Sequence, residues 1–245
     1  MKLLIDFGNS RVKWACFDGQ DVIDAKAYSY ENEDITQRVN DVAEQIDTDS
    51  VQEIHAVSVL GESFNQAFHA RLNKHANIST QFYVSQLNKF GVTLAYADPL
   101  SYGADRYAAL IAAHDKSDNA TIVIDCGTAT TIDAIDKSGK HLGGLIIPGI
   151  TLMCSSLASK ASGINMPNTT NSVQLLSDNT LDAVYSGSAL VLRHGVSAIV
   201  SEMTSEINQQ VSIYVTGGES HHLASSSYID CPHLVLDGLR IMQGS

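Results

Sequence analysis

Asp125-Cys126-Gly127-Thr128-Ala129-Thr130-Thr131 follows directly on the apolar run Ile122-Val123-Ile124. The same arrangement opens the chain, where Leu3-Leu4-Ile5 runs into Asp6-Phe7-Gly8-Asn9-Ser10. The two aspartates are separated by about half of the 245 residues. Each half therefore begins with a strand, a carboxylate, a tight glycine turn and a second strand. Such a turn points backbone N–H groups and small hydroxyls at one spot, beside a carboxylate that can hold a cation. Two of them working on one ligand would make a clamp for a nucleotide polyphosphate and its metal.

Working outward, the first half reads as strands over 2–6, 11–17 and 22–28, with Asp18-Gly19-Gln20 as a hairpin turn. Apolar spacing predicts helices over 32–47 and 62–75, a strand over 53–60 and a short strand over 81–84. A further helix over 102–114 is expected to join the halves. The second half repeats the opening with strands over 121–126, 129–136 and 141–147 and a turn at Lys137-Ser138-Gly139. Helices over 150–160 and 181–206, the latter capped by Thr180, precede a strand over 211–216 and a last strand within 228–236. The Ser-, Thr-, Asn- and Gly-rich stretch 161–179 reads as a surface loop.

Three meandering strands followed by alternating helix and strand, used twice, is not the order of a Rossmann sheet. It matches an α/β, duplicated ribonuclease-H-like (actin-like ATPase) fold: two lobes, 1–116 and 117–245, each with a mixed five-stranded sheet flanked by helices. Hydrophobic content of 44% and charged content of 17% suit a globular chain. The net charge of −12 argues against nucleic acid or an anionic membrane as partner. The four cysteines are scattered without a Cys-x-x-Cys pair, so neither zinc nor a disulfide framework is indicated. With no signal-peptide pattern and no long apolar run, a cytoplasmic protein is expected.

Phosphoryl transfer needs positioning and charge neutralisation more than covalent chemistry. In Asp6 to Lys13 the carboxylate, Gly8, the donors Asn9 and Ser10, and Lys13 make a sufficient kit, although an ordinary hairpin uses the same turn residues. Asp6-Phe7-Gly8 also spells the protein-kinase metal motif, but no kinase lobe precedes it, and no P-loop occurs anywhere. In the second copy Thr128, Thr130 and Thr131 supply hydroxyls, and Asp125 is costly at a strand end unless it meets a donor or cation. In Asp98-Pro99-Leu100-Ser101-Tyr102-Gly103-Ala104-Asp105-Arg106, Asp105 stands at a helix start, where the dipole favours a carboxylate. It can serve as the base for an alcohol acceptor, with Arg106 binding an acidic substrate; a solvated charge pair is the plainer alternative. Gly143-Gly144, Pro148-Gly149 and Gly217-Gly218 read as places where another backbone or a nucleotide comes close, or equally as ordinary structural turns.

These motifs, in this order and over nearly the whole chain, resemble the type III pantothenate kinases of the acetate and sugar kinase, Hsp70 and actin superfamily. The resemblance implies ATP-dependent phosphorylation of pantothenate, the first step of coenzyme A synthesis. It implies that Asp6, Phe7, Gly8, Asn9, Ser10, Arg11, Val12 and Lys13, with Thr128, hold the nucleotide, and that Asp105 is the catalytic base. Asp125 would bind the monovalent cation, potassium or ammonium, and Asp6 would take the magnesium that accompanies ATP. Gly103, Ala104, Asp105 and Arg106 would line the pantothenate pocket with Tyr96 and, from the partner in a homodimer, Thr180. The competing readings are a related kinase acting on a sugar or acetate, and a catalytically idle regulatory factor.

Overall fold

The computed structural model describes residues 1–30, 34–46, 51–73, 78–160, 172–223 and 225–244. Its contacts divide the chain into two units: Met1–Lys116 with Gly139–His141 and His233–Ser245, and Ser117–Ser138 with Leu142–Pro232. The C-terminal residues thus fold with the first unit, although the sequence pattern alone suggests 117–245 as one lobe.

The first unit holds β1 (Lys2–Phe7), β2 (Arg11–Phe17), β3 (Val22–Ser29), β4 (Glu53–Ser58) and β5 (Ser79–Phe82) in a sheet of order β3-β2-β1-β4-β5. β1 runs antiparallel to β2 and parallel to β4. On one face Leu3, Ile5 and Phe7 bury against α1 (Ile35–Gln45) and α2 (Glu62–Asn73), through Val39, Val42, Phe64 and Phe68. Asp34 caps α1, its carboxylate accepting from the Gln37 N–H at 2.9 Å. The alternate residues of β1, Leu4 and Asp6, lie on the other face, which packs against α6 (Leu234–Gln243). α3 (Ala104–Asp115) contacts β4 and lies closely against α6. That approach depends on Gly238, where a β-carbon would run into the Ala108 carbonyl. A short hairpin, β6 (Asn88–Lys89) with β7 (Val92–Thr93), completes the unit.

The second unit repeats the plan. β8 (Ala120–Cys126), β9 (Ala129–Ile135), β10 (His141–Pro148), β11 (Val211–Thr216) and β12 (Tyr228–Asp230) form a sheet of order β10-β9-β8-β11-β12. β8 is again antiparallel to its hairpin partner and parallel to the strand that follows the helices. Ile122, Ile124 and Cys126 bury against α4 (Ile150–Lys160) and α5 (Thr180–Ile207), through Cys154, Ala189, Leu192 and Val196. By length and a mean hydropathy of 1.2, α5 also meets the composition of a membrane-crossing helix, which core helices meet too.

One expectation needs correction. The cap of α5 is Asn179, whose side-chain oxygen accepts from the Asp182 N–H at 3.0 Å; Thr180 is the first helical residue. The last strand, Tyr228–Asp230, lies within the expected range; α6, which the sequence pattern did not show, follows it, with Leu234, Val235, Leu236, Leu239 and Met242 buried at helical spacing. Gly238 hides that periodicity in the sequence, because glycine is a poor helix former. Of the expected loop 161–179, residues 161–171 lie outside the described residues, and 172–179 lead into α5 without regular structure.

Candidate active site

The register places the signature residues at equivalent points of the two sheets. Asp6, at the end of β1, pairs with Lys13 on β2, and Asp125, at the end of β8, pairs with Thr131 on β9. Paired residues on neighbouring strands share a face, so Asp6 and Lys13 stand side by side. Asp6 is 8% exposed. The loop between them is drawn in by the Gly8 N–H, which donates to the Arg11 carbonyl at 3.0 Å, and by the Tyr30 N–H, which donates to the Ser10 carbonyl at 3.1 Å. The Tyr30 hydroxyl is buried and feels the Asp6 charge; desolvation first, then that charge, pushes it well above the usual tyrosine range. Asn9, Ser10 and Arg11 are exposed, Phe7 and Val12 fully buried. The first group offers donors; the second anchors the strands.

The proposed acid–base segment lies in the same unit. Asp98 accepts from the Leu100 N–H at 3.0 Å and so builds the short helical turn Pro99–Ser101. Gly103 then starts α3, and its carbonyl accepts from the Tyr107 N–H at 3.0 Å. Asp105 sits in the first turn, with Oδ1 accepting from the Arg106 N–H at 2.8 Å. A β-carbon at Gly103 would stand 2.6 Å from that oxygen, so the glycine makes room for the carboxylate.

Arg106 is buried, its guanidinium 4.4 Å from the centre of the Tyr102 ring. Tyr102 meets Tyr96 edge-on at 4.9 Å, and His141 lies 5.0 Å from Tyr102 and 6.0 Å from Tyr96. Ser85 fixes the backbone here, its hydroxyl donating to the Tyr102 carbonyl at 2.8 Å. Tyr96, Gly103, Ala104, Asp105 and Arg106 therefore form one cluster. Tyr102 and His141 belong to it and were missed by sequence reasoning. Tyr102 adjoins the glycine motif and was within reach of the pattern; His141, distant in the chain, carried no signal.

In the second unit Asp125 is flanked in register by Thr131 on β9 and Thr216 on β11. The Thr216 hydroxyl is buried and has no hydrogen-bond partner among the described residues. A buried hydroxyl left unpaired costs about 1–3 kcal/mol. A carboxylate with two threonine oxygens abreast is an all-oxygen donor set, which suits a hard cation. No group of three or more His, Cys, Asp or Glu able to hold a metal occurs among the described residues.

The Thr128 loop closes with the Gly127 N–H donating to the Ala129 carbonyl at 3.1 Å. The Thr128 carbonyl accepts from the Gly149 N–H at 3.0 Å. Gly144 also proves a close-approach glycine, since a β-carbon there would run into the Asp133 carboxylate. The Cys126 thiol is pushed up to about 12 by burial and by the charges of Asp125 and Glu219, so it is an inert core group. Thr180 lies at the exposed start of α5, on the rim of an apolar cleft of about 880 Å³ lined by Leu152, Met153, Leu157, Val184 and Val191.

His55 and His222 serve packing. His55 bonds Tyr83 at 3.0 Å and Glu53 at 3.2 Å, and His222 bonds Tyr185 at 3.2 Å.

The sequence model of the type III pantothenate kinases matches residues 2–202. The type III pantothenate kinase of Alcanivorax borkumensis is 32% identical over 98% of this chain and 97% of its own. That of Nitrosococcus oceani is 30% identical over 98% and 92%. Among solved structures, a conserved putative Baf family transcriptional activator from Campylobacter jejuni aligns over 99% of this chain and 98% of its own, at 23% identity and a TM-score of 0.59. Lmo2764 of Listeria monocytogenes, a putative N-acetylmannosamine kinase, aligns over 99% of both chains at 10% identity and a TM-score of 0.52. At those identities the structures speak for the fold, that of the actin-like ATPases, and the sequence relatives speak for the family. The chain belongs to the type III pantothenate kinases.

Proposed function

We infer that this chain transfers the γ-phosphoryl group of ATP to the primary hydroxyl of pantothenate, the first step of coenzyme A synthesis. The observation that carries this reading is the family match over nearly the full chain, with every motif aspartate at a strand end or helix start. In the transfer, the bond from the γ-phosphorus to its bridging oxygen breaks and a bond to the substrate oxygen forms. ADP leaves, and the hydroxyl proton passes to a base. Asp105 is that base: the Arg106 N–H holds its Oδ1 at the start of α3, so the carboxylate is oriented before substrate arrives. Arg106, held over the Tyr102 ring, binds the pantothenate carboxylate, and Tyr96, Gly103 and Ala104 line the same pocket.

The loop from Asp6 to Lys13 holds the ATP phosphates with Thr128, and Lys13 offsets charge that the chain's net −12 would otherwise repel. Asp6 would hold magnesium, and Asp125, with Thr131 and Thr216, a potassium or ammonium ion; bound there, these cations neutralise phosphate charge. The apolar cleft beside Thr180 supports a homodimer in which Thr180 completes the partner's pantothenate pocket. A cytoplasmic setting suits the substrates, and no disulfide joins the four cysteines.

The test is ADP release from the purified chain, measured with and without pantothenate and with potassium replaced by sodium. Release that requires pantothenate and rises with potassium is expected. Release driven instead by a sugar or by acetate would overturn the reading.

A further inference from the structure

Glu219 follows the Gly217-Gly218 turn and does something that turn alone does not explain. Its Oε2 accepts from the Ile150 N–H at 2.9 Å, and its Oε1 accepts from the Thr151 N–H at 3.1 Å and the Thr151 hydroxyl at 2.6 Å. Those are the first residues of α4. Helix-start N–H groups lack intrahelical partners, so the carboxylate satisfies two of them and complements the dipole. Meanwhile the Glu219 N–H donates to the Cys126 carbonyl at 3.0 Å, and the Gly149 N–H donates to the Thr128 carbonyl at 3.0 Å.

These bonds close a ring. It runs from Cys126 through Gly127 to Thr128, across to Gly149 and the start of α4, through the Glu219 carboxylate, and back to Cys126. Both crossings are tight. A β-carbon at Gly149 would run into the Gly127 carbonyl and stand 2.9 Å from the Thr128 carbonyl; one at Gly217 would run into the Cys126 backbone. Glu219 is half-buried, and its charge reaches the Cys126 thiol. The segment it locks contains Thr128 and adjoins Asp125.

We propose that Glu219 is a positioning residue for the nucleotide: by clasping the start of α4 it fixes the 126–128 backbone, and hence the Thr128 hydroxyl, where ATP is held. This rests on the nucleotide role of Thr128 given above. The same geometry means that the N-terminus of α4 is already occupied by a protein carboxylate, so phosphate is held by the hairpin loops rather than by that helix.

Glutamine at this position keeps one acceptor for Thr151 and turns an N–H toward Ile150, which loosens the ring without emptying the space. The experiment compares the unaltered chain, Glu219→Gln and Thr151→Ala for binding of a fluorescent ATP analogue, for kcat and for the two KM values, with thermal midpoints alongside. The expected result for Glu219→Gln is a dissociation constant for the analogue raised about tenfold, the size of one lost charge-assisted hydrogen bond. The KM for pantothenate stays unchanged, and Thr151→Ala shows a smaller shift in the same direction. Unchanged analogue affinity in both folded variants, whether or not their midpoints fall, overturns the proposal and leaves Glu219 as a helix cap only. Analogue binding is read without pantothenate, so failure of the unaltered chain to phosphorylate pantothenate would count against the proposed reaction and not against the clasp.

Discussion

The two aspartate hairpins share a plan and differ in chemistry. In the first, the strands last pair at Phe7 and Val12, leaving the four residues Gly8 to Arg11 as the loop. In the second they last pair at Cys126 and Thr130, leaving the three residues Gly127 to Ala129. Asp6 has Lys13 on one side and Val57 on the other, whereas Asp125 has Thr131 and Thr216. A carboxylate beside a lysine can keep a metal and still present positive charge to phosphate. A carboxylate between two threonine hydroxyls presents only oxygens and attracts a cation. Duplication thus supplied one scaffold twice, and the residues flanking each aspartate give the two copies different chemistry.

The sharpest way to break this comparison is to neutralise each aspartate. Asp6→Asn is expected to lower pantothenate-dependent kcat by about 100-fold or more at saturating potassium, the scale on which charge-stabilising groups act. Asp125→Asn is expected instead to raise the potassium concentration for half-activation about tenfold, with magnesium dependence unchanged. Potassium titrations of both variants decide it, and an equal response would end the division of labour. Next comes the flanking pair. Lys13→Met should raise the KM for ATP about tenfold, since it removes a charge-assisted phosphate contact, and Thr131→Val should change it by about twofold at most. A larger effect at Thr131 would give the second hairpin the greater share of the phosphates.

The smallest difference is mechanical. A β-carbon at Gly8 would stand 2.9 Å from the Arg11 carbonyl, against 3.6 Å from the Ala129 carbonyl for one at Gly127. Gly8→Ala should therefore cost about 1 kcal/mol or more in urea unfolding and Gly127→Ala about 0.5 kcal/mol or less. Equal midpoints would show that the longer loop relaxes to take the methyl group.

The β1–β2 and β8–β9 hairpins were plain in the sequence because their signal is local. Three β-branched or leucine residues, an aspartate and a glycine turn state both the element and its end. α1 and α2 were legible for a similar reason, as Val39, Val42, Phe64 and Phe68 repeat at helical spacing. α6 was not, because Gly238 sits in the middle of its apolar face. That glycine is explained only by Ala108, 130 positions earlier, where two helix backbones meet. The proposed acid–base segment was half legible: Gly103 to Arg106 reads as a helix start with a carboxylate and a guanidinium, yet its supporting rings, Tyr102 and His141, come together only by folding.

The sequence by itself determined that two strand–aspartate–turn units exist, how far apart they lie in the chain, and which residue types each offers a ligand. Those are properties of spacing and side-chain chemistry. Tertiary structure alone decided that β11 would set Thr216 beside Asp125, that Glu219 would reach the start of α4, and that the C-terminal helix would join the first unit. Each of these depends on hydrogen bonds or packing between residues distant in sequence, and no local pattern encodes which distant partner a strand edge or helix end will meet.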